Sequence, residues 1–417
     1  MNRVLLVGNG AREHAIAAAL HRSGVEIVAR MDKLNPGIAR LCSKVTVGSL
    51  TDPVGLPTGR DVDYAIIGPE TPIAAGFVDT LETSGVRCVA PKRAAAQIET
   101  SKSFARILLS EAAPEANARF FLAHDQTEVK DAIKELGADN VVVKPDGLTG
   151  GKGVKVLGEH LSSIDEATEY ATALAKKDGI VIIEEKVRGT EFTVQAFVDG
   201  MHVYPMPLVR DYKRAYDGDR GPNTGSMGSY SSEGHRLSYV GRKEMDSAVS
   251  VMERAVNAIR IATGTEYVGV LYGQFMKSEQ GVRLIEFNAR FGDPEAINVL
   301  SILSSSMDDL CCSLIDRNLM RPRFESVATV CVYLVPNGYP STDVAKDSPI
   351  DVHSVADSET YYASVYEKNG KVFTTSSRAV ALLGKGSSIN DARARVYRDA
   401  SLVKGHLRYR SDIAEST

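Results

Sequence analysis

The chain has 417 residues, a length that suggests about three domains. Its 43% apolar and 24% charged side chains are ordinary for a folded protein with a real core, and a formal net charge of −4 gives no support for a nucleic-acid or membrane partner. No apolar run nears the roughly 18 residues of a membrane span, and MNRVLLVGNG opens as a buried strand and a glycine turn rather than a signal peptide, so the expected location is cytoplasmic.

The first hundred residues alternate strand and helix patterns. Arg3–Val7 is an apolar strand and Ala11–Arg22 a helix; 26–29 and 63–67 read as strands, 73–84 as a helix and 86–90 as a strand. That alternation predicts a parallel sheet covered by helices. Residues 94–111 are helical. The pattern then turns α+β: short strands at 141–144, 153–157, 180–184 and 192–199, with a helix over 164–177, outline a small lid. Segment 208–234 is rich in Gly, Asp, Ser and Asn without periodicity and reads as a long functional loop. A helix over 244–263 leads to a hairpin, Val268–Ser278 with Gly281–Asn288. Residues 294–315 are helical, 321–324 resemble a linker, and 327–336 opens a strand-rich C-terminal unit. The cysteines (Cys42, Cys88, Cys311, Cys312, Cys331) have no C-x-x-C spacing and are expected to be reduced thiols.

The stretch VVVKPDGLTGGKGVKV (141–156) raises the question of phosphate binding. Lys152 is followed by Gly153 and not by Ser or Thr, so the magnesium-binding hydroxyl of a Walker loop is missing. The loop also runs into a strand instead of opening a helix. It reads as a glycine-rich hairpin tip, with Gly150, Gly151 and Gly153 letting the backbone approach phosphate oxygens and Lys144 and Lys152 supplying charge. A surface hairpin with two solvated lysines fits the same stretch.

In IIEEKVRGTEF (182–192) an apolar strand runs into Glu184, Glu185 and Val187, with Glu191 beyond. A strand end of this kind offers an apolar slot with backbone groups for adenine and a carboxylate for ribose hydroxyls; a plain charged strand end looks the same. In GVRLIEFNARFGDPE (281–295), alternation puts Leu284, Glu286 and Asn288 on one face. Oxygen ligands two residues apart suit Mg²⁺ shared with phosphates. A three-residue loop of Glu279, Gln280 and left-handed Gly281 would set Gln274 opposite Glu286, so that three oxygen donors converge. The alternative is a hydrogen-bonded polar pair at a sheet edge.

Together these motifs resemble the ATP-grasp superfamily. The order GNGAREH (8–14), NPG (35–37), GPETP (68–72), ETSK (99–102), KPDGLTGGKGV (144–154), EEKVRGTE (184–191), DGDRGPNTGSMGSY (217–230) and EFNARFGDPE (286–295) is similar to that of the phosphoribosylamine–glycine ligase, or glycinamide ribonucleotide synthetase, family over nearly the whole chain. DGDRGPNTGSMG followed by EFNARFGDPE carries most of the specificity. The chain departs from the family pattern at GNGAREH for G-S-G-G-R-E-H, KPDGL for K-A-D-G-L, GSMG for G-G-M-G and SSRAV (376–380) for S-G-G-R-V. The family's H-A-G-T has no clear counterpart near 362–365.

The resemblance implies an α/β and α+β fold: a Rossmann-like N-terminal domain (1–101), an ATP-grasp domain (102–321) with a mobile lid (about 121–188), and a small strand-rich C-terminal domain (322–417). It implies ATP as co-substrate, Mg²⁺ or Mn²⁺, glycine and 5-phosphoribosylamine as small-molecule substrates in purine biosynthesis, and a monomer or weak homodimer. Lys102, Lys144 and Lys152 would hold phosphates, Glu184, Glu185 and Val187 would line the adenine site, and Glu191 would take the ribose. Gln274, Glu286 and Asn288 would bind metal. Arg290 would hold the glycine carboxylate or the transferring phosphate and is, with Lys152, the catalytic candidate. Asp217, Asp219 and Asn223 would take the glycine ammonium, and Asn9, Gly10, Arg12, Glu13, Asn35, Gly68 and Glu70 the phosphoribosyl group. A carboxylate is a poor electrophile, so it would first be phosphorylated to glycyl phosphate, with the lid closed against water.

Rival readings differ in class. A dinucleotide-binding oxidoreductase would use VLLVGNGAREH with Asp32 on the ribose; Glu13, in place of the third glycine, works against helix packing and pyrophosphate binding. Another ATP-grasp ligase or carboxylase of purine synthesis lacks the DGDRGPNTGSMG loop. A non-catalytic nucleotide-binding relative would not need Lys144, Lys152, Glu286 and Asn288 together.

Overall fold

The computed structural model describes residues 1–150 and 153–415. Its N-terminal sheet has five parallel strands in the order Lys44–Val47, Glu26–Met31, Arg3–Val7, Tyr64–Ile67, Arg87–Val89. Arg3–Val7 lies at the centre and is buried over most of its length, which is why RVLLV is a continuous apolar run and not an alternating one. The strand order reverses beside Arg3–Val7. The carboxyl ends of Arg3–Val7 and Tyr64–Ile67 therefore open a crevice, the place where open parallel sheets bind ligands.

Three predicted helices are broken. The 73–84 helix is two, Glu70–Ala74 and Phe77–Thr83, parted at Gly76 with φ 83°, a left-handed conformation glycine takes without strain. The 94–111 helix breaks at Ser101, which turns extended and accepts the Phe104 N–H to cap Lys102–Ala112. Residues 294–315 form Glu295–Ser301 and Met307–Ile315, the second capped by Ser306.

Two antiparallel sheets of four strands each build the middle of the chain. One runs Phe120–Ala123, Val181–Glu185, Val141–Pro145, Lys155–Val156. Helices Gln126–Leu136 and Ile164–Asp178 cover it, and it keeps a core of its own around Val129, Ile133, Val143, Ala171 and Ile183. Val142 pairs with Val156 and Val143 with Lys155, so 141–156 is a β-hairpin. Gly151 and Lys152 lie outside the described residues.

The other sheet runs Val203–Pro205, Thr190–Asp199, Val268–Ser278, Gly281–Asn288, with the helix Arg242–Thr263 against it. Its hairpin reaches the expected pairing by a different route. Ser278 pairs with Gly281, so the loop is only Glu279–Gln280, and a bulge at Ile285 supplies the missing residue. Gln274 still lies opposite Glu286. The bulge corrects the predicted face: Leu284 and Phe287 are both buried, while Glu286 and Asn288 are half-buried.

Segment 208–234 is not one long loop. Arg210–Asp211 and Gly228–Ser231 are strands of the C-terminal sheet, ordered Arg210–Asp211, Gly228–Ser231, Ala328–Pro336, Val380–Gly386, Glu359–Tyr362. Gly228 passes so near the neighbouring strand that a Cβ there would sit 2.4 Å from the Cys331 carbonyl oxygen. Arg214–Tyr216 and Arg220–Asn223 form a separate ribbon. Strands this short and glycine-rich leave no periodicity to read. No helix among the described residues is long and apolar enough to cross a membrane.

His14 joins the two ends of the chain. It is buried on the helix Ala11–Arg22, its ring stacks on Tyr362 at 6.1 Å, and its Nδ1 accepts the Tyr362 N–H at 2.9 Å. Burial, with Arg40 nearby, pushes its pKa down to about 4. The folded chain thus holds a neutral imidazole, whose contribution to stability is complete above the unfolded value near 6.5 and is lost as pH falls from there toward 4. Between pH 7.5 and pH 5 the wild type is expected to lose about 2 kcal/mol more unfolding free energy than His14→Gln, which keeps an acceptor but cannot protonate. Denaturant unfolding at the two pH values checks this; an equal loss in both proteins contradicts it.

Candidate active site

A cavity of about 150 Å³ lies between the 141–156 hairpin, the helix Lys102–Ala112 and the strand Gly281–Asn288. Its lining includes Lys102, Lys144, Gly150, Glu286, Asn288 and Arg290. Asp146 fastens the hairpin to the helix start: its carboxylate accepts the Ser103 N–H at 2.7 Å, and its carbonyl accepts the Lys102 N–H at 3.1 Å. Lys102 Nζ donates to the Gly147 carbonyl at 2.9 Å. Sequence reading passed over Asp146 as part of a turn.

Lys144 is buried with its Nζ 2.6 Å from Glu184 Oε2. Glu184 is buried too, and Arg106 grips both its oxygens, at 2.6 and 2.9 Å. Burial alone would raise the Glu184 pKa; Arg106 and Lys144 outweigh it and hold the carboxylate down at about 2. The Glu184 carboxylate is therefore committed to these two cations, while the residue lines the cavity. Glu185 accepts the Arg119 N–H at 3.0 Å and pairs with Arg283. Val187 is half-buried just beyond.

Across the cavity, Gln274 lies opposite Glu286 in the hairpin register, and Asn288 is two residues further along the strand. Gln274 donates through Nε2 to Glu191 at 2.7 Å, which leaves its oxygen for other use. Asn288 accepts from Arg290 Nη2 at 3.2 Å. Arg290 Nε lies 3.1 Å from Glu70, and its Nη2 lies 3.1 Å from Glu99. Glu99 also accepts the Ala289 N–H at 2.6 Å. Burial works against the Arg290 charge, but Glu99 and Glu70 more than offset it and push its pKa up. Burial raises Glu99; at Glu70 burial is overcome by Arg290 and Arg12, which hold it at about 2.

Beside Glu191 sits an acidic cluster that sequence reading missed. Asp211, Glu191, Glu286 and Glu295 lie around Lys213, and against burial their negative charge pushes its pKa up. Burial and the neighbouring carboxylates raise the pKa of Asp211, and burial and Asp211 raise that of Glu295, which accepts from Tyr272 Oη at 2.9 Å. Asp211 and Lys213 lay in the segment read as structureless, so only their short spacing hinted at them.

The crevice at the sheet switch point has a cavity of about 440 Å³ lined by Asn9, Gly10, Glu13, Asp32, Pro69 and Ser364 among others. Glu13 fills its floor. It accepts the Gly10 N–H at 2.7 Å and pairs with Arg12 at 2.5 Å, and Arg12 reaches the Phe291 carbonyl at 3.2 Å. A Cβ on Gly68 would lie 2.2 Å from Glu13 Oε1, and one on Gly8 2.6 Å from its Cγ, so the glycines make room for this carboxylate. Asn35 is a correction. Its oxygen caps the helix Pro36–Ala39 and its amide donates to the Asn9 and Tyr362 carbonyls at 2.8 Å each, so it is a buried strut with nothing left over for a substrate.

Asp217 and Asp219 are corrections as well. Asp217 holds the Ser411 N–H at 2.9 Å and Asp219 pairs with Arg410 at 2.8 Å, both toward the C-terminal tail. Asn223 is exposed on the ribbon. Arg378, from the altered SSRAV stretch, packs against this region instead. It is 2.9 Å from Asp293, lies over the Tyr333 ring at 4.2 Å and donates to the Gly225 carbonyl. Its signal was present as an arginine in a motif counted as degraded.

Family models described as the N, ATP-grasp (A) and C domains of phosphoribosylglycinamide synthetase match residues 2–99, 100–296 and 329–416. The chain is 46% identical over 417 residues to the phosphoribosylamine–glycine ligase of Methanoregula boonei, covering 99% of this chain and 96% of that one. It is 45% identical to the one from Methanocella arvoryzae with the same coverage. The crystal structure of phosphoribosylamine–glycine ligase from Thermotoga maritima superposes with a TM-score of 0.85 at 28% identity, over 99% of this chain and 100% of that one. The biotin carboxylase domain of Hydrogenobacter thermophilus 2-oxoglutarate carboxylase, solved with MgADP and bicarbonate, shares the fold at a TM-score of 0.73 and 14% identity, over 97% and 90% of the two chains. The chain belongs to the phosphoribosylglycinamide synthetase family.

Proposed function

We propose that this chain joins glycine to 5-phosphoribosylamine, converting ATP to ADP and phosphate through a glycyl phosphate intermediate, and so makes glycinamide ribonucleotide for purine biosynthesis. The observation that carries this reading is the meeting of two cavities at Glu70: Glu70 lines the cavity with Lys144 and Glu286, and Pro69 before it lines the switch-point crevice. ATP in the first and the ribosylamine in the second would bring acyl phosphate and amine together.

The residues fit the groups they would hold. Lys102 and Lys144 meet the phosphates, with the hairpin backbone at Gly150 and Gly153 over them and Lys152 next in sequence. Glu185 and Val187 flank the adenine slot, and Glu191 takes the ribose. Mg²⁺ characteristically takes one or two carboxylates plus substrate phosphates instead of a full protein cage, and Gln274, Glu286 and Asn288 supply one carboxylate and two amide oxygens. When bound, the ion neutralises charge building on the transferring phosphate. Arg290, fixed by Glu70 and Glu99, orients the glycine carboxylate for phosphorylation. The glycine ammonium is best matched by Asp211 and Glu295, where carboxylates outnumber Lys213, and not by Asp217 and Asp219. Asn9, Gly10 and Gly68 border the space for the phosphoribosyl group, with Arg12, Glu13 and Asn35 shaping it from behind.

ATP turnover is expected to require glycine and phosphoribosylamine together. Phosphate release measured with each component omitted tests this; full-rate release with bicarbonate or another acid, and none with glycine, would assign the chain to a different ATP-grasp reaction.

Glu286→Gln is expected to lower kcat on the order of 100-fold while changing the KM for ATP far less, because the amide keeps shape but loses the charge that holds the ion. Steady-state kinetics at limiting Mg²⁺ read this out; wild-type turnover would make the hairpin face merely structural.

A further inference from the structure

Arg106 stands outside every motif of the sequence and lines the ATP cavity from beneath. It is 3% exposed, on the helix Lys102–Ala112. A guanidinium has five N–H donors, and here each has an acceptor. Nε and one Nη2 hydrogen go to the two oxygens of Glu184, at 2.6 and 2.9 Å. The other Nη2 hydrogen goes to the Ile285 carbonyl at 2.8 Å, and Nη1 reaches Asn117 Oδ1 at 3.0 Å and the Leu284 carbonyl at 3.3 Å. Ile285 is the bulged residue that sets Glu286 opposite Gln274. One side chain thus ties the helix that carries Lys102 to the strand that carries Glu184 and to the bulge that places Glu286.

The charges around it make a second point. Glu184 is shared between two cations, Arg106 and Lys144. Without Arg106, the carboxylate would cancel the lysine, and the buried pair facing the cavity would be neutral. With Arg106 present, the trio carries one net positive charge, and all three side chains line the cavity.

We propose that Arg106 is a positioning residue for ATP: by taking both oxygens of Glu184 it leaves Lys144 available as a net cation for the nucleotide phosphates and fixes the bulge beside Glu286. The inference rests on the reading that this cavity takes ATP.

The test is ATP affinity in the presence of Mg²⁺, measured by calorimetry on the full chain. No ATP binding by the wild type would overturn the ATP reading and this proposal with it; a failure confined to the variants would overturn the role of Arg106 alone. Arg106→Met is expected to weaken ATP binding by tenfold or more, because Glu184 then neutralises Lys144. Adding Glu184→Gln to that variant frees Lys144 and is expected to restore affinity to within threefold of wild type. Arg106→Lys, which keeps the charge but has fewer donors, should bind ATP within threefold and lose kcat. A purely structural arginine would give no recovery in the double variant. Unchanged affinity in Arg106→Met, or a double variant more than tenfold weaker than wild type, overturns the proposal. If Arg106→Met does not fold, the double variant, in which no buried carboxylate is left short of donors, decides on the same threshold.

Discussion

A guanidinium taken out of water needs carboxylates around it, and Arg290 finds them on two other parts of the chain. Glu70 opens the helix Glu70–Ala74 after the strand Tyr64–Ile67, and Glu99 comes from the helix before the Ser101 break. Arg290 itself follows the hairpin strand that carries Glu286 and Asn288. Removing one partner of such a group typically costs about 3–5 kcal/mol, because the others are left buried and unbalanced. That constraint ties the parallel sheet to the cavity and to the hairpin strand of Glu286 in one arrangement.

Much of this was legible in the sequence wherever the signal was local. Arg3–Val7 and Ala11–Arg22 stand where the apolar pattern put them. The Gln274–Glu286 pairing is right, although its predicted cause is not. A longer loop and a tighter loop with a bulge give the same register, and no propensity distinguishes them, because a bulge is set by what packs on it. Here that partner is Arg106 on the Ile285 carbonyl, a contact between residues 179 apart in the chain. The helix breaks at Gly76 and Ser101 were visible as a glycine and a capping serine, but amphipathic periodicity ran across them.

What was not legible is non-local in each case. Asp217 and Asp219 look like free ligands in a loop of glycines, and only the C-terminal tail, folded back as Ser411 and Arg410, claims them. Asn35 looks like a substrate contact and is a strut, because the Tyr362 carbonyl arrives from the other end of the chain. Arg378 was discounted with its altered motif, yet it closes the DGDRGPNTGSMG loop against Asp293. Sequence spacing reports the type of chemistry a stretch can do; it does not report which groups the fold has already satisfied.

The N-terminal sheet shows how one architecture is turned from one ligand to another. Its switch-point crevice, glycine turn and following helix would suit a pyrophosphate, whose charge belongs at a helix N-terminus. Glu13 occupies that position with its own carboxylate, bonded to the Gly10 N–H and held by Arg12. An acid there satisfies the helix dipole internally and repels a second anion at the same spot. The crevice is left to bind at its rim, past Pro69, and the residue after Pro69 is Glu70, which anchors Arg290. In the proposed reaction the acyl phosphate forms at Arg290 and the amine waits at the rim. The ion pair between Glu70 and Arg290 would then keep that rim against the intermediate, where attack by the amine competes best with water.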